Sequence, residues 1–276
     1  MDVESQVAAH YGRSNLEQSI LDALISTGKD LGKLTPSDLS GVDEFHLGWR
    51  AATGGLASRL DLNAKVHVLD IGSGLGGPAR YFAETYGCHV SGIDLTPEFV
   101  ETANALTRRC GLADRVTFRQ ASALALPFPD RAFDAATLIH VGMNIGDKSK
   151  LFSEMRRVLR DGARIGVYDV MHERPGDDVP FPMPWAASPV TSFLETPETY
   201  RRLLDEAGFA LSSERDQREL VLTLSREMRE KAATHSAPPL GLHTLMEPAS
   251  KERLTNVMTT LERGTIAPIE MIAEAV

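Results

Sequence analysis

The sequence predicts an α/β protein built on a doubly wound parallel sheet. Short apolar runs alternate with capped, amphipathic segments from about residue 64 onward. A glycine-rich stretch, Gly72-Ser73-Gly74-Leu75-Gly76-Gly77, separates the first apolar run from the first helical pattern. An aspartate, Asp94, closes the second run, where open sheets of this kind meet their ligands.

Val66 to Ile71 reads as a buried parallel strand that stops at glycines. Pro78 to Tyr86 reads as a helix, with proline in its first turn and Gly87 just past its end. His89 to Asp94 is the second strand. Thr96-Pro97-Glu98 then caps a helix carried on by Val100, Ala103 and Leu106 and ended near Gly111. Val116 to Arg119 and Phe133 to Ile139 are expected as strands three and four. Ser149 to Leu159 is expected as a helix with Leu151, Met155, Val158 and Leu159 on one face. Ala163 to Val170 is strand five. Thr196-Pro197-Glu198 opens a helix ending at Gly208, and Phe209 to Arg215 is strand six. Residues 217–235 and 250–263 read as helices, the second capped by Ser250, and Ile269 to Val276 as a last strand. The stripe Leu254, Val257, Met258 and Leu261 is expected to be core or a dimer face.

Two regions break the rhythm. Residues 1–62 hold helical patterns and no clear strand, and are expected to form an N-terminal helical cap on a 63–276 domain. Residues 172–192 carry Pro175, Pro180, Pro182, Pro184 and Pro189, which forbids regular helix or central strand. A connection that long is expected to serve as a lid, here 171–195, with a helical insertion at 216–263.

Composition removes several function classes. The 276 residues are 42% hydrophobic and 24% charged, which suits an ordinary globular fold and not disorder. The net charge of −9, without a dense Lys/Arg cluster, argues against nucleic acid or anionic lipid as partner. No apolar run approaches a membrane span, and Met1-Asp2-Val3-Glu4-Ser5 lacks the marks of a signal peptide. Cys88 and Cys110 make neither a zinc site nor a disulfide framework, so reduced thiols in a cytoplasmic setting are expected. There is no nucleophile elbow, zinc-binding His-Glu-x-x-His or Gly-Lys-Ser/Thr phosphate loop, and no metal is expected.

The glycine loop is the centre of the functional reading. Gly72, Gly74 and Gly77 match Gly-x-Gly-x-x-Gly, a pattern shared with dinucleotide sites. Asp70, two residues earlier, opposes a pyrophosphate but suits a ligand end bearing an ammonium and a carboxylate, the carboxylate meeting loop and helix amides. S-adenosylmethionine has such an end and a cationic sulfonium. The alternative for Asp70 is a brace that accepts N–H bonds from the glycine loop. Asp94 is placed to accept both hydroxyls of an adenosine ribose, Thr96 being free to cap the next helix.

Asp70-x-Gly72-x-Gly74, Gly92-Ile93-Asp94, Leu126-Pro127-Phe128-Pro129-Asp130-x-x-Phe133-Asp134 and Arg157-Val158-Leu159-Arg160-Asp161-Gly162 together resemble the class I S-adenosylmethionine-dependent methyltransferases over residues 64–170. That resemblance implies a Rossmann-like, seven-stranded, mostly parallel sheet whose last strand is antiparallel. Asp43-Glu44-Phe45-His46-Leu47-Gly48, Ile139 to Ile145 and Pro182-Met183-Pro184-Trp185-Ala186 resemble the subgroup of sarcosine/dimethylglycine N-methyltransferases, with phosphoethanolamine methyltransferases more distant. The resemblance implies S-adenosyl-L-methionine as cofactor and S-adenosyl-L-homocysteine as product. Asp70, Gly72, Gly74, Gly76, Asp94, Leu95 and His140 are the expected cofactor contacts. Where relatives carry an acidic adenine contact after strand three, this chain has Ala121-Ser122-Ala123, whose hydroxyl and amide are expected to replace it. Asp161-Gly162-Ala163 stands for the usual Pro-Gly-Gly, and Trp49 for the second glycine of a Gly-Gly pair, where it is expected to fill part of the acceptor pocket.

His140, just after strand four, is the expected catalytic residue, taking a proton from the acceptor or orienting it. Tyr11, His46, Trp49, Met143, Asn144 and Trp185 are the expected acceptor contacts. The reaction expected is methyl transfer by in-line displacement, which asks the protein to align groups and exclude water. An amine in a small molecule is the first expectation for the acceptor. Transfer to oxygen or carbon of a secondary metabolite, a noncatalytic cofactor-binding protein and, last, a nicotinamide-dependent oxidoreductase are the alternatives. A homodimer is compatible with the extra helices.

Overall fold

The computed structural model describes residues 2–12, 14–174, 176, 178–234, 240–241, 243–246 and 250–276. Met1, Pro175 of the proline run and His235 at the end of the expected 217–235 helix lie outside the described residues. In chain order the elements are α1 (Val3–Tyr11), α2 (Leu16–Ser26), α3 (Pro36–Leu39), α4 (Trp49–Ala57), β1 (His67–Ile71), α5 (Gly77–Tyr86), β2 (His89–Asp94), α6 (Pro97–Arg109), β3 (Val116–Gln120), β4 (Phe133–Ile139), α7 (Lys148–Val158), β5 (Leu159–His172), α8 (Pro197–Glu206), β6 (Phe209–Asp216), α9 (Arg218–Thr234), α10 (His243–Met246), α11 (Ser250–Glu262) and β7 (Ile266–Ala275).

The strands form one sheet in the order β3-β2-β1-β4-β5-β7-β6. β1 pairs in parallel with β2 and β4, as do β2 with β3 and β4 with β5, whereas β7 runs antiparallel between β5 and β6. This is the seven-stranded, mostly parallel sheet with an antiparallel last strand that the resemblance implies. The chain reverses its direction of travel across the sheet between β1 and β4. At that switch point the connections leaving the two strands part to opposite faces and open a crevice. The glycine loop leaves β1 there, and His140 leaves β4 beside it.

Burial explains the strands. Val68, Leu69, Ile71, Ala136 and Leu138 are fully enclosed, as expected of strands covered on both faces. Several boundaries differ from expectation: strand five, expected over Ala163–Val170, runs Leu159–His172, strand one starts at His67, and strands three and six each end a residue later, at Gln120 and Asp216. Leu159 does not end the helix; its backbone is extended (φ −92°, ψ 142°) and it pairs with Phe133 as the first residue of β5. The last strand starts at Ile266, three residues early, because His172 and Val170 of the long β5 offer partners to Ile266 and Pro268. Pro268 is tolerated because β6 pairing stops at Ile269, so the missing N–H falls beyond the end of that neighbour.

The N-terminal helices do not stand apart. Leu16, Ile20, Leu21, Leu24, Leu39 and Val42 share one core with Leu75, Phe99 and Leu106. The attachment is also electrostatic: Arg80 of α5 donates to Asp43 at 2.7 Å, to the Leu75 carbonyl at 2.6 Å and to Thr107 at 2.9 Å, and both charged side chains are fully buried. A Cβ at Gly77 would meet the Asp43 carbonyl oxygen at 2.1 Å. The third glycine of the fingerprint therefore serves backbone packing between cap and loop. The segment between β5 and α8, where the sequence predicts a lid, is pinned by Met183, Trp185 and Ala186, which pack on Met143, Val170, Val257 and Ile266.

Candidate functional site

The floor of the site is the glycine loop. Gly72 (φ +68°) and Gly74 (φ +52°) lie in the left-handed region, and no atom lies within 4 Å of where a Gly74 Cβ would sit. Two hydrogen bonds tie the loop to the end of β2, and a third closes the turn after β2. Ser73 N–H donates to the Ile93 carbonyl, Gly74 N–H to Asp94 Oδ2 and Thr96 N–H to Asp94 Oδ1, each at 2.9 Å. Asp94, not Asp70, thus braces the loop, and the Thr96 side chain makes no capping bond. Each carboxylate oxygen of Asp94 keeps a further lone pair for a ligand hydroxyl.

Asp70 is almost fully buried. Its Oδ1 accepts from the Thr137 hydroxyl at 2.8 Å, and its Oδ2 has no partner. Burial pushes its pKa up to about 7, and the neighbouring charge of Asp94 pushes the same way. Asp94 is raised by burial too, against the pull of its backbone bonds. A sealed, unpartnered carboxylate oxygen beside a second carboxylate is costly unless a cationic donor arrives. The residues present therefore fit the ammonium end of S-adenosyl-L-methionine and do not fit a pyrophosphate.

A cavity of about 780 Å³ opens above this floor. Its wall brings together Asp70, Gly72, Gly74, Asp94, Leu95 and His140 of the expected cofactor contacts, and all six expected acceptor contacts: Tyr11, His46, Trp49, Met143, Asn144 and Trp185. Four expected cofactor residues are absent from the wall. Gly76 is covered by Phe118, whose ring would meet its Cβ at 2.4 Å. Ala123 is packed in the core below the sheet, with Ala121 against that core. The Ser122 hydroxyl is taken by the carboxylate of Glu4, reaching over from α1.

Two imidazoles meet at the side of the cavity where the acceptor is expected from the sequence. The His140 backbone is left-handed (φ +53°), its N–H held by the Tyr168 carbonyl at 2.7 Å and its ring stacked on Tyr168 at 5.2 Å. Its Nε2 is sealed and unpartnered, and burial holds its pKa well below the usual histidine value. The His46 ring meets it edge-on at 5.8 Å. Burial lowers the His46 pKa to about 4, so both rings are neutral acceptors or donors at neutral pH.

Asn144 is placed at the wall, but its polar atoms are already used. Oδ1 accepts from the Tyr11 hydroxyl at 3.0 Å, and Nδ2 donates to the carbonyls of Trp185 at 2.8 Å and Thr191 at 3.0 Å. It ties α1 to the lid across the cavity. Trp185 is buried, with its ring N–H donated to Ser192 at 3.0 Å.

The sequence reading missed one wall. Ser225, Met228 and Arg229 of α9 and Leu254, Val257, Met258 and Glu262 of α11 line the cavity. The stripe expected to be core or a dimer face divides its work: Leu261 is core, whereas Leu254, Val257 and Met258 face the cavity. The sequence held no signal for this, because the stripe has the i, i+3, i+4, i+7 spacing of an ordinary buried face. Among the described residues no group of three His, Cys, Asp or Glu side chains could hold a metal ion, and no helix is long and apolar enough to cross a membrane.

Fold and site together define a methyltransferase domain. Residues 69–167 match the family model described as a methyltransferase domain. Among curated relatives, methyltransferase GfsG of Streptomyces halstedii is 34% identical over 182 residues, 63% of this chain and 63% of its own. The glycine/sarcosine/dimethylglycine N-methyltransferase of Actinopolyspora halophila is 34% identical over 116 residues, 42% of this chain and 20% of its own. The matches thus span less than two thirds of these relatives' lengths. A solved geranyl diphosphate C-methyltransferase from Streptomyces coelicolor A3(2), complexed with Mg2+, geranyl-S-thiolodiphosphate and S-adenosyl-L-homocysteine, superposes with a TM-score of 0.69 at 18% identity, covering 100% of this chain and 99% of that one. Further relatives are named as a tocopherol O-methyltransferase, a sterol C-methyltransferase and an ajmaline N-methyltransferase. Residues 69–167 thus match a methyltransferase domain, and the chain is similar to N-, O- and C-methyltransferases, a glycine/sarcosine/dimethylglycine N-methyltransferase among them.

Proposed function

We propose that this protein transfers a methyl group from S-adenosyl-L-methionine to an amine of a small, largely apolar molecule. The observation that carries the cofactor side is the buried, unpartnered Oδ2 of Asp70 in the wall of the glycine-loop cavity. Asp70 and the loop amides would hold the amino-acid end, and Asp94 the ribose hydroxyls. The bound cofactor supplies an electrophilic methyl group on a cationic sulfur.

The chain's own residues do the rest. Asp70 and Asp94 give the floor a negative field that favours a cation. The apolar walls from Met143, Trp185, Val257 and Met258 exclude water and receive the body of the acceptor. His140 orients the acceptor's polar end, and its neutral state lets it accept a hydrogen bond. Trp49 and Trp185 stand at the wall as aromatic surfaces for a flat or basic acceptor. The amine assignment is supported by the motif resemblance and by the N-methyltransferase similarity; relatives named for oxygen and carbon transfer supply the competing acceptors for the test.

Thermal unfolding tests the reading. S-adenosylmethionine and S-adenosylhomocysteine at millimolar concentration are expected to raise the transition temperature, and NAD and NADP to leave it unmoved. A ligand at 100 times its dissociation constant contributes about 2.7 kcal/mol. A shift with the nicotinamide nucleotides alone would sink the cofactor assignment. A screen of amines, phenols and acids with S-adenosylhomocysteine present then tests the acceptor: stabilisation by phenols or acids but not amines would overturn the amine.

A further inference from the structure

His46 is held by one edge. Its Nε2 lies 3.1 Å from the Trp49 carbonyl oxygen, 3.1 Å from Thr53 Oγ1 and 3.5 Å from Glu44 Oε2. A carbonyl oxygen can only accept, so Nε2 must carry the hydrogen. Thr53 is placed to agree with the Trp49 carbonyl. Its hydroxyl hydrogen is spent on Glu44 Oε2 at 2.6 Å, so its oxygen faces His46 as an acceptor. Glu44 is in turn fixed by Arg50, 2.5 Å from Oε1. With Nε2 protonated and the ring neutral, Nδ1 is left as a lone pair. It has no hydrogen-bond partner among the described residues, and His46 lines the cavity.

We infer that His46 Nδ1, locked as a lone pair by Trp49, Thr53 and Glu44, selects acceptors that present a neutral N–H or O–H and disfavours those without one. The inference rests on the proposed methyl-transfer reading and adds a specificity rule to it. A donor on the acceptor satisfies Nδ1 and fixes the direction of the acceptor's own lone pair. A fully substituted nitrogen offers no such hydrogen and leaves Nδ1 desolvated and unpaired. Methylation of a primary amine is therefore disfavoured beyond the tertiary amine. Glu44 and Thr53 are positioning residues, acting only through the His46 ring.

Nitrogen-15 NMR of histidine-labelled full-length protein tests this at neutral pH. The His46 signals are assigned by their loss in His46→Gln or, should that variant not fold, in His46→Phe. The expected result in ligand-free protein is a protonated Nε2 and a pyridine-type Nδ1. A protonated Nδ1, or a doubly protonated ring, overturns the inference. Thr53→Val is expected to raise the share of the other tautomer, which a merely structural threonine would not do. The protein saturated with S-adenosylhomocysteine is then titrated with aniline, N-methylaniline and N,N-dimethylaniline, all neutral under these conditions. The first two are expected to move the Nδ1 signal, and the third to bind about tenfold more weakly without moving it. Equal responses to all three, or none to any, overturn the selection rule. Failure of S-adenosylhomocysteine to bind would instead strike the proposed function, leaving the tautomer result to stand on its own.

Discussion

Asp70 couples the site to pH. Its folded pKa of about 7 lies above the unfolded value of 3.8, so the folded chain keeps a proton that the unfolded chain releases. The sign follows: ligand-free stability falls as pH rises through the window from 3.8 to about 7, and is flat above it. Asp70→Asn is expected to remove this loss, so its advantage over wild type in ligand-free thermal unfolding should grow across that window. A difference constant with pH would mean that Asp70 is ionised throughout. A cationic ligand favours the ionised form, so wild-type affinity for S-adenosylmethionine should climb through the same window, and Asp70→Asn should weaken binding at least about tenfold by calorimetry. Asp94→Ala should weaken it as well, and loosen the loop by freeing the Gly74 and Thr96 amides. For the chemistry, His140→Ala should lower turnover more than cofactor affinity, and wild-type turnover in that variant would dismiss it from the reaction. Asp70, Asp94 and His140 were legible because each is fixed by local chain position: two at strand ends and one beside the glycines. Ser122 was not, since its hydroxyl partner is Glu4, 118 positions away, and no local pattern announces such a pair.

Among the elements, the tie through Asn144 carries the clearest expectation. Asn144→Ala strands the Tyr11 hydroxyl and two lid carbonyls, a loss of about 1–3 kcal/mol. Hydrogen exchange should rise in α1 and in residues 184–193 together, while β1 and β4 stay protected. Faster exchange in the lid alone would show that α1 is held by something else. The strands were readable from apolar runs bounded by turn residues, and β2 and β4 fall on their expected bounds. Errors arose where pairing overrode local pattern. Leu159 fits the apolar face of α7 by spacing, yet Phe133 claims it for the sheet. Pro268 marks a strand break by local rules, yet sits where β6 has ended. The cavity face of α11 was hidden for a related reason: an apolar stripe has the same spacing whether it meets core or ligand.

At the scale of the molecule, cap and sheet are joined by the buried Asp43–Arg80 pair. Asp43→Ala leaves an unpaired buried guanidinium, and a loss of about 3–5 kcal/mol is expected in urea unfolding. A loss under about 1 kcal/mol would mean that the cap closes on the sheet by apolar packing alone. The shared core of α2, α3 and α6 makes one cooperative transition the expected outcome. The way the cavity is assembled has a consequence for how such proteins diversify. Its floor comes from the ends of β1, β2 and β4 and the glycine loop, within residues 70–140, whereas its roof is gathered from α1, the lid, α9 and α11. A lineage can therefore rewrite the roof, and with it the molecule that is modified, while inheriting the floor and its donor of methyl groups untouched.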